Sequence, residues 1–311
     1  MPVWLIVGAT GLYVLGLFAI AWRGDRRAGD PSASHSPYIY ALALAVYCTS
    51  WTFFGAVGTS ATSGWDYVAI YLGPALVFIF LPDLIRRIGD VAQRESVSSL
   101  ADFLSARYGK SRAVGALAAV AAVAGSLPYI ALQLKSVGMS FQALAYGVEH
   151  VGSRPASQTV LFTALAMGMF AILFGARQSD ATRRNAGLMQ VLALEATLKL
   201  AALVAVAVLS LSLITSPDIQ IPDTATAPFT SGGISQRMIT MTILSMCAII
   251  CLPRQFHIAV IERRSRREVH TARIVFVAYL VLTSAVVIPI TVAGLSILGA
   301  GVPPDLFVLD L

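Results

Sequence analysis

Eight long apolar runs dominate the 311-residue chain: Val3 to Trp22, Tyr38 to Ser60, Tyr67 to Ile85, Ala113 to Tyr146, Val160 to Phe174, Gly187 to Leu213, Met238 to Ile261 and Ile274 to Leu298. About 18 to 20 apolar residues cross a bilayer as helix, so runs of this kind read as membrane spans. Composition agrees, because charged residues make up 12% of the chain and mean hydropathy is +0.76. A soluble domain carries about 25% charge, and a larger core does not remove the need to cover a surface. The expected fold is an all-α membrane protein of about eight transmembrane helices, one domain over residues 1–311.

The net charge of +6 is sorted by loop. Residues 23–36, 86–112, 175–186 and 262–273 hold seventeen Lys and Arg, whereas 61–66, 147–159, 214–237 and 299–311 hold two. That alternation is a positive-inside signal, placing the basic loops in the cytoplasm and both ends of the chain outside. The arginines sit in short loops between apolar segments, so nucleic acid is not an expected partner. The first run has an Ala19-Ile20-Ala21 stretch like a cleavage site, but no charge precedes it and Arg23, Arg26 and Arg27 follow, which favours a retained helix. The expected location is the bacterial plasma (inner) membrane, multi-pass, with the lipid bilayer as the first partner.

Soluble-enzyme chemistry is missing from the pattern, with no phosphate loop, dinucleotide fingerprint or zinc-protease motif. No catalytic residue, cofactor or metal site is expected. Cys48, Cys247 and Cys251 lie in apolar runs without histidine spacing that makes a metal site, and read as packing residues. His270, in a basic loop, reads as a surface histidine.

Polar groups inside a span are costly and mark candidate sites. The second run reads Tyr47-Cys48-Thr49-Ser50-Trp51-Thr52-Phe53-Phe54-Gly55, which suits either local unwinding with free carbonyls or close packing through small residues. The seventh reads Cys251-Leu252-Pro253-Arg254-Gln255-Phe256-His257. Pro253 removes a helix hydrogen bond there, and Arg254 either faces a cavity or snorkels. Glu195 and Lys199 stand four apart and form either a self-neutralising pair or a gating pair. Gln133 and Lys135 follow Pro128, the expected kink of the long fourth span, while Ala118, Ala122 and Ser126 read as a packing face. The two interrupted spans run in opposite directions with five helices between equivalent points, the signature of an inverted repeat.

Several stretches resemble the sodium:solute symporter family: Ser50-Trp51 through Gly55 to Ser63-Gly64-Trp65, Leu100-Ala101-Asp102-Phe103-Leu104-Ser105-Ala106-Arg107-Tyr108-Gly109, and Arg254-Gln255-Phe256-His257-Ile258. With Ser126-Leu127-Pro128-Tyr129-Ile130-Ala131-Leu132-Gln133-Leu134-Lys135 and Leu252-Pro253-Arg254-Gln255-Phe256-His257, the chain resembles more closely the branch whose symporter-like region is fused to a bacterial sensor histidine kinase. The resemblance implies a truncated inverted-repeat (LeuT-like) symporter fold: an extra helix over 3–22, a first repeat over 38–213 and a partial second repeat over 238–298. It implies sodium as coupling ion, held in part by backbone carbonyls of Ala45 and Cys48. It also implies a solute cavity drawn from Tyr47, Ser50, Trp51, Gln133, Glu195, Gln255 and His257, with helix breaks at Gly55 and Pro253. Tyr47 stands where proline transporters place an aspartate. The Thr-Asp-x-x-Gln pattern of the family's fifth core helix is not reproduced, since Ser179-Asp180 lies too early and Thr182-Arg183 holds the aligned place. The implied function is binding and transport of a small solute with sodium, feeding a C-terminal kinase module and its response regulator in an intact parent. The alternative is a transport-inactive sensor that keeps the fold. As a fragment ending before the eighth core helix, the chain is expected to hold an incomplete sodium site and to show no coupled uptake alone.

The charge count generates a topology test. In a cysteine-depleted background, an impermeant thiol reagent added outside modifies a cysteine at Ser231 and spares one at Ser265; the reverse pattern contradicts the assignment.

Overall fold

The computed structural model describes residues 2–27, 36–151, 160–161, 163–165, 168, 186–217, 219, 221–230 and 233–311. The expected fifth span, Val160 to Phe174, falls largely outside the described residues, as do Ser179-Asp180 and Thr182-Arg183. The described residues form helices joined by turns and loops, and five helical runs are long and apolar enough, by length and composition, to cross a membrane: Val3–Arg26, Gly55–Phe80 (which turns at Gly64), Arg112–Tyr146, Ala186–Ile214 and Arg266–Ile297. A sixth span is obtained if Gln236–Cys251 and Pro253–Ile261, bent by 55° at their junction, are taken together. The chain is a multi-pass membrane protein of helices.

The elements used below are α1 (Val3–Arg27), α2 (Pro37–Ala43, continued by a 3-10 turn Leu44–Tyr47), α3 (Ser50–Phe53), α4 (Gly55–Ser63) and α5 (Val68–Phe80). They continue as α6 (Pro82–Arg94), α7 (Leu100–Arg107), α8 (Arg112–Tyr146), α9 (Ala186–Ile214) and α10 (Asp223–Thr230). Last come α11 (Gln236–Cys251), α12 (Pro253–Phe256, continued by a π segment His257–Ile261) and α13 (Arg266–Ile297).

The spine is α13. Its buried residues Val269, Ala272, Phe276, Leu280, Thr283, Val287, Ile290 and Gly294 recur every three or four positions, one continuous face of a helix. Onto that face pack α2, α4, α5 and α9. Tyrosines tie the helices through neighbouring backbone: the hydroxyl of Tyr40 donates to Ala259 O (2.8 Å), Tyr67 to Ser284 O (2.8 Å) and Tyr279 to Ala196 O (3.1 Å). A buried phenol needs such an acceptor, and a helical carbonyl retains a second lone pair to offer.

These contacts fix directions. Along α5, Tyr67 meets Ser284 and Phe78 meets Phe276, so α5 runs against α13. Along α2 to α4, Ile39 and Tyr40 flank Glu262, Arg264 and Glu268, while Gly58 lies under Asp305 beyond the other end of α13. The chain therefore reverses between α4 and α5, at Gly64. Its φ of +56° suits glycine, and a Cβ there would overlap the Pro228 carbonyl. The partner of α5 is α11, which enters beside Asp66, where the Ser235 hydroxyl donates to Asp66 (2.7 Å), and continues to Ser245, whose hydroxyl donates to Ala69 O (2.8 Å). Thus α11 runs with α5 and opposite to α2–α4. Gly73 permits the approach, since a Cβ would run into the Ser245 side chain and the α11 backbone.

Several boundaries differ from expectation. The third span ends at Phe80, because Pro82 starts the separate helix α6. The eighth begins eight residues early, at Arg266, where Ser265 and Glu268 form a reciprocal capping box. The outer loop 214–237 contains the short helix α10, stacked on the Gly64 turn through Trp65, whose indole donates to Phe229 O (3.0 Å). The fourth span is one 35-residue helix, continuous through Pro128.

Both loops at one end, 86–112 and 262–273, are locked together. Arg263 is 1% exposed, and its guanidinium meets Asp90 at 2.6 Å while its carbonyl accepts from Gln93 (2.9 Å). Arg266 takes the other Asp90 oxygen at 2.7 Å. These bonds from Arg263 and Arg266 hold the Asp90 carboxyl below the usual carboxylate range. A depressed folded-state pKa gives a contribution fully present above the unfolded-state pKa and lost as pH falls through the folded one. The clamp's contribution to melting in detergent should therefore be present and independent of pH around neutrality, and be lost only below about pH 4. Asp90→Asn should lower the midpoint at neutral pH and flatten that acid limb; an unchanged acid limb in the variant contradicts the clamp.

Candidate functional site

The site forms where two spans are interrupted. In the first, Cys48 (φ −81°, ψ 105°) and Thr49 (φ −109°, ψ −162°) are extended between the 3-10 turn at Tyr47 and the start of α3. Two extended residues break the i to i−4 ladder, so the carbonyls just before them lose helical partners. In the second, Leu252 is extended (φ −70°, ψ 127°) and Pro253 begins a new helical turn at an angle to α11. A π segment follows, with Glu262 N donating to His257 O at 2.9 Å, five residues back. Wide turns of this kind occur mostly as single irregularities, frequently at functional sites. The two interruptions touch, Pro253–Phe256 packing on Leu44–Tyr47.

Both breaks are met by α8. Tyr129 and Gln133, four residues apart, share one face of that helix. Ser50 hydrogen-bonds the Gln133 carbonyl oxygen, and the Gln133 amide donates to Thr49 Oγ1 at 3.4 Å. One turn away, Arg254 donates to the Tyr129 hydroxyl at 2.9 Å and lies 5.1 Å from the ring centroid. The result is a polar centre of hydroxyls, an amide and a guanidinium, drawn from three segments.

Of the residues expected to line a cavity, Ser50 and Gln133 come together here. Tyr47 turns to α5, its hydroxyl donating to Ile70 O (2.9 Å). Trp51 packs toward Tyr71, with ring centroids 6.4 Å apart, and lies so close over Gly55 that no Cβ fits there. Gln255 is 0% exposed and neither of its amide atoms has a hydrogen-bond partner among the described residues. Glu195 pairs with Lys199 at 2.6 Å, and His257 lies 3.3 Å from Glu262. The unwound residues are Cys48 and Thr49, six positions before Gly55, which instead opens α4 after a single turn residue, Phe54. Cys48 stands at the break itself, while the Ala45 carbonyl already accepts from Cys48 N at 2.9 Å. Among the described residues no three His, Cys, Asp or Glu side chains gather to hold a metal.

Two participants escape a reading of the sequence as sites. Thr49 looks like one more small polar residue, and Tyr129 like one aromatic within a long apolar span. The usable signal was the i, i+4 spacing of Tyr129 and Gln133, with both facing the spans that carry Ser50 and Arg254.

Comparison with known proteins finds one distant relationship. An uncharacterized symporter of Bacillus subtilis (strain 168), YhjB, is 26% identical over 110 residues. The alignment covers 35% of this chain and 22% of the relative. No family model matches, and no solved structure matches. The chain is thus similar in part to a symporter.

The Gln133 amide bridges two hydroxyls, and deleting one partner of a part-buried polar group costs about 1–3 kcal/mol. Gln133→Ala should destabilise the purified protein by that order in thermal unfolding, and Ser50→Ala added to it should cost little more. Full additivity of the two substitutions contradicts the bridge.

Proposed function

We propose that the chain is a membrane module of sodium:solute symporter type, with the solute bound where the two interrupted spans meet on α8. The observation that carries this is the convergence of both breaks with Thr49, Ser50, Gln133 and Arg254. Irregular backbone at membrane depth is tolerated where it is buried in protein or lines a cavity, and broken helices at the midplane are where transporters place substrate and coupling ions. The partial similarity to a symporter supports the same reading.

On this reading the eight-span, inverted-repeat arrangement holds, with α2–α4 and α11–α12 as the equivalent broken helices, running oppositely. Sodium is the coupling ion, and carbonyls beside Cys48 supply part of its shell. The N-terminus is outside and the basic loops face the cytoplasm of a bacterial inner membrane. In an intact parent the module feeds a C-terminal sensor kinase with its response regulator; a phosphoacceptor region in the downstream reading frame is the check on that part.

A water-accessible site is tested without knowing the solute. In a cysteine-depleted background, a cysteine at Gln133 should react with a hydrophilic maleimide in membranes, and one at Ile249 should not. Sodium should slow the Gln133 reaction relative to choline. Equal inertness at both positions contradicts a solute site.

A further inference from the structure

We infer that the solute taken at this centre carries a carboxylate, and that Arg254 is its counter-charge. The inference rests on the solute-binding reading above and names the chemical class that the site selects.

Depth is the first argument. Arg254 is held on Tyr129, the midpoint of the 35-residue α8. At ~1.5 Å per residue that midpoint is about 25 Å from either helix end. The partly buried guanidinium thus meets α8 far from either end of that helix, where an unbalanced charge is expensive.

The second argument is what surrounds it. Among the described residues Arg254 has no carboxylate in ion-pair contact, and the Tyr129 hydroxyl and ring satisfy one N–H and one face. Lys199, by contrast, is neutralised within its own helix by Glu195 at 2.6 Å. A guanidinium offers five donors in a fixed fork suited to a carboxylate. Here most of that fork is unspent.

The third argument is independent of charge. Gln255, the next residue, is fully buried with both amide atoms unpartnered among the described residues. A buried amide in that state calls for a ligand or ordered water. One turn of α8 from Tyr129, the Gln133 amide and the hydroxyls of Thr49 and Ser50 add neutral donors and acceptors on the same helix face as the residue that holds the guanidinium. That set suits a small acid bearing further polar groups, and it offers no carboxylate of its own to attract a cationic solute.

The test uses isosteric pairs. Purified chain in detergent is titrated calorimetrically with acetate, lactate, succinate and L-alanine, and with acetamide, lactamide, succinamide and L-alaninamide. The expected result is saturable binding of at least one acid, with its amide at least about tenfold weaker. Arg254→Gln should abolish the acid's binding and Arg254→Lys weaken it about tenfold, because an ammonium lacks the fork. Saturable binding of amides at the affinity of their acids, unchanged in Arg254→Gln, overturns the carboxylate assignment and leaves the solute site standing. Absence of saturable binding by every probe overturns the carboxylate assignment and the solute site together.

Discussion

A lipid interior offers no hydrogen-bond partner, and that constraint governs this architecture. Every helix interruption must be answered by protein or by bound solute and water. Two spans are interrupted, at Cys48–Thr49 and at Leu252, and they lie against each other. Their neighbour α8 supplies Gln133 to one and Tyr129 to the other. Remove either interruption and the other has its polar groups exposed to a featureless apolar wall. The pairing of the breaks is what makes each of them affordable.

The rest of the bundle holds the breaks in register. The spine α13 presents one buried face to α2, α4, α5 and α9, and tyrosine hydroxyls pin those contacts to backbone carbonyls. At one end, Tyr40 anchors α2 to the π segment, and Arg263, Arg266 and Asp90 fasten α6 to the loop that follows it. At the other end, Trp65 and Asp66 hold α10 and the start of α11.

Much of the scaffold was legible in the sequence because apolar length is a strong signal. The spans beginning near Val3, Ala113 and Gly187 start within a residue of the observed helices. Pro253 announced its break through lost N–H chemistry. The break at Cys48–Thr49 was less visible, since small hydroxyl residues suit packing and unwinding equally, and Gly55 drew attention six residues too late. Burial of Arg263 was hidden in a run of loop arginines, because only the folded chain brings Asp90 to it. The early start of α13 was written in Ser265 and Glu268, a local signature overshadowed by the charged composition around it. The pairing of Arg254 with Tyr129 depends on a contact 125 residues apart in sequence, which no local pattern encodes.

The meeting of both interruptions on one face of α8 is the central claim, and proximity measures it most directly. In a cysteine-free background, paired cysteines at Ser50 and Gln133, and in a second variant at Tyr129 and Arg254, are treated in native membranes with a short bifunctional thiol reagent. The account predicts efficient intramolecular cross-linking in both pairs. Cross-linking in neither, under conditions that join cysteines at Phe78 and Phe276, would contradict it.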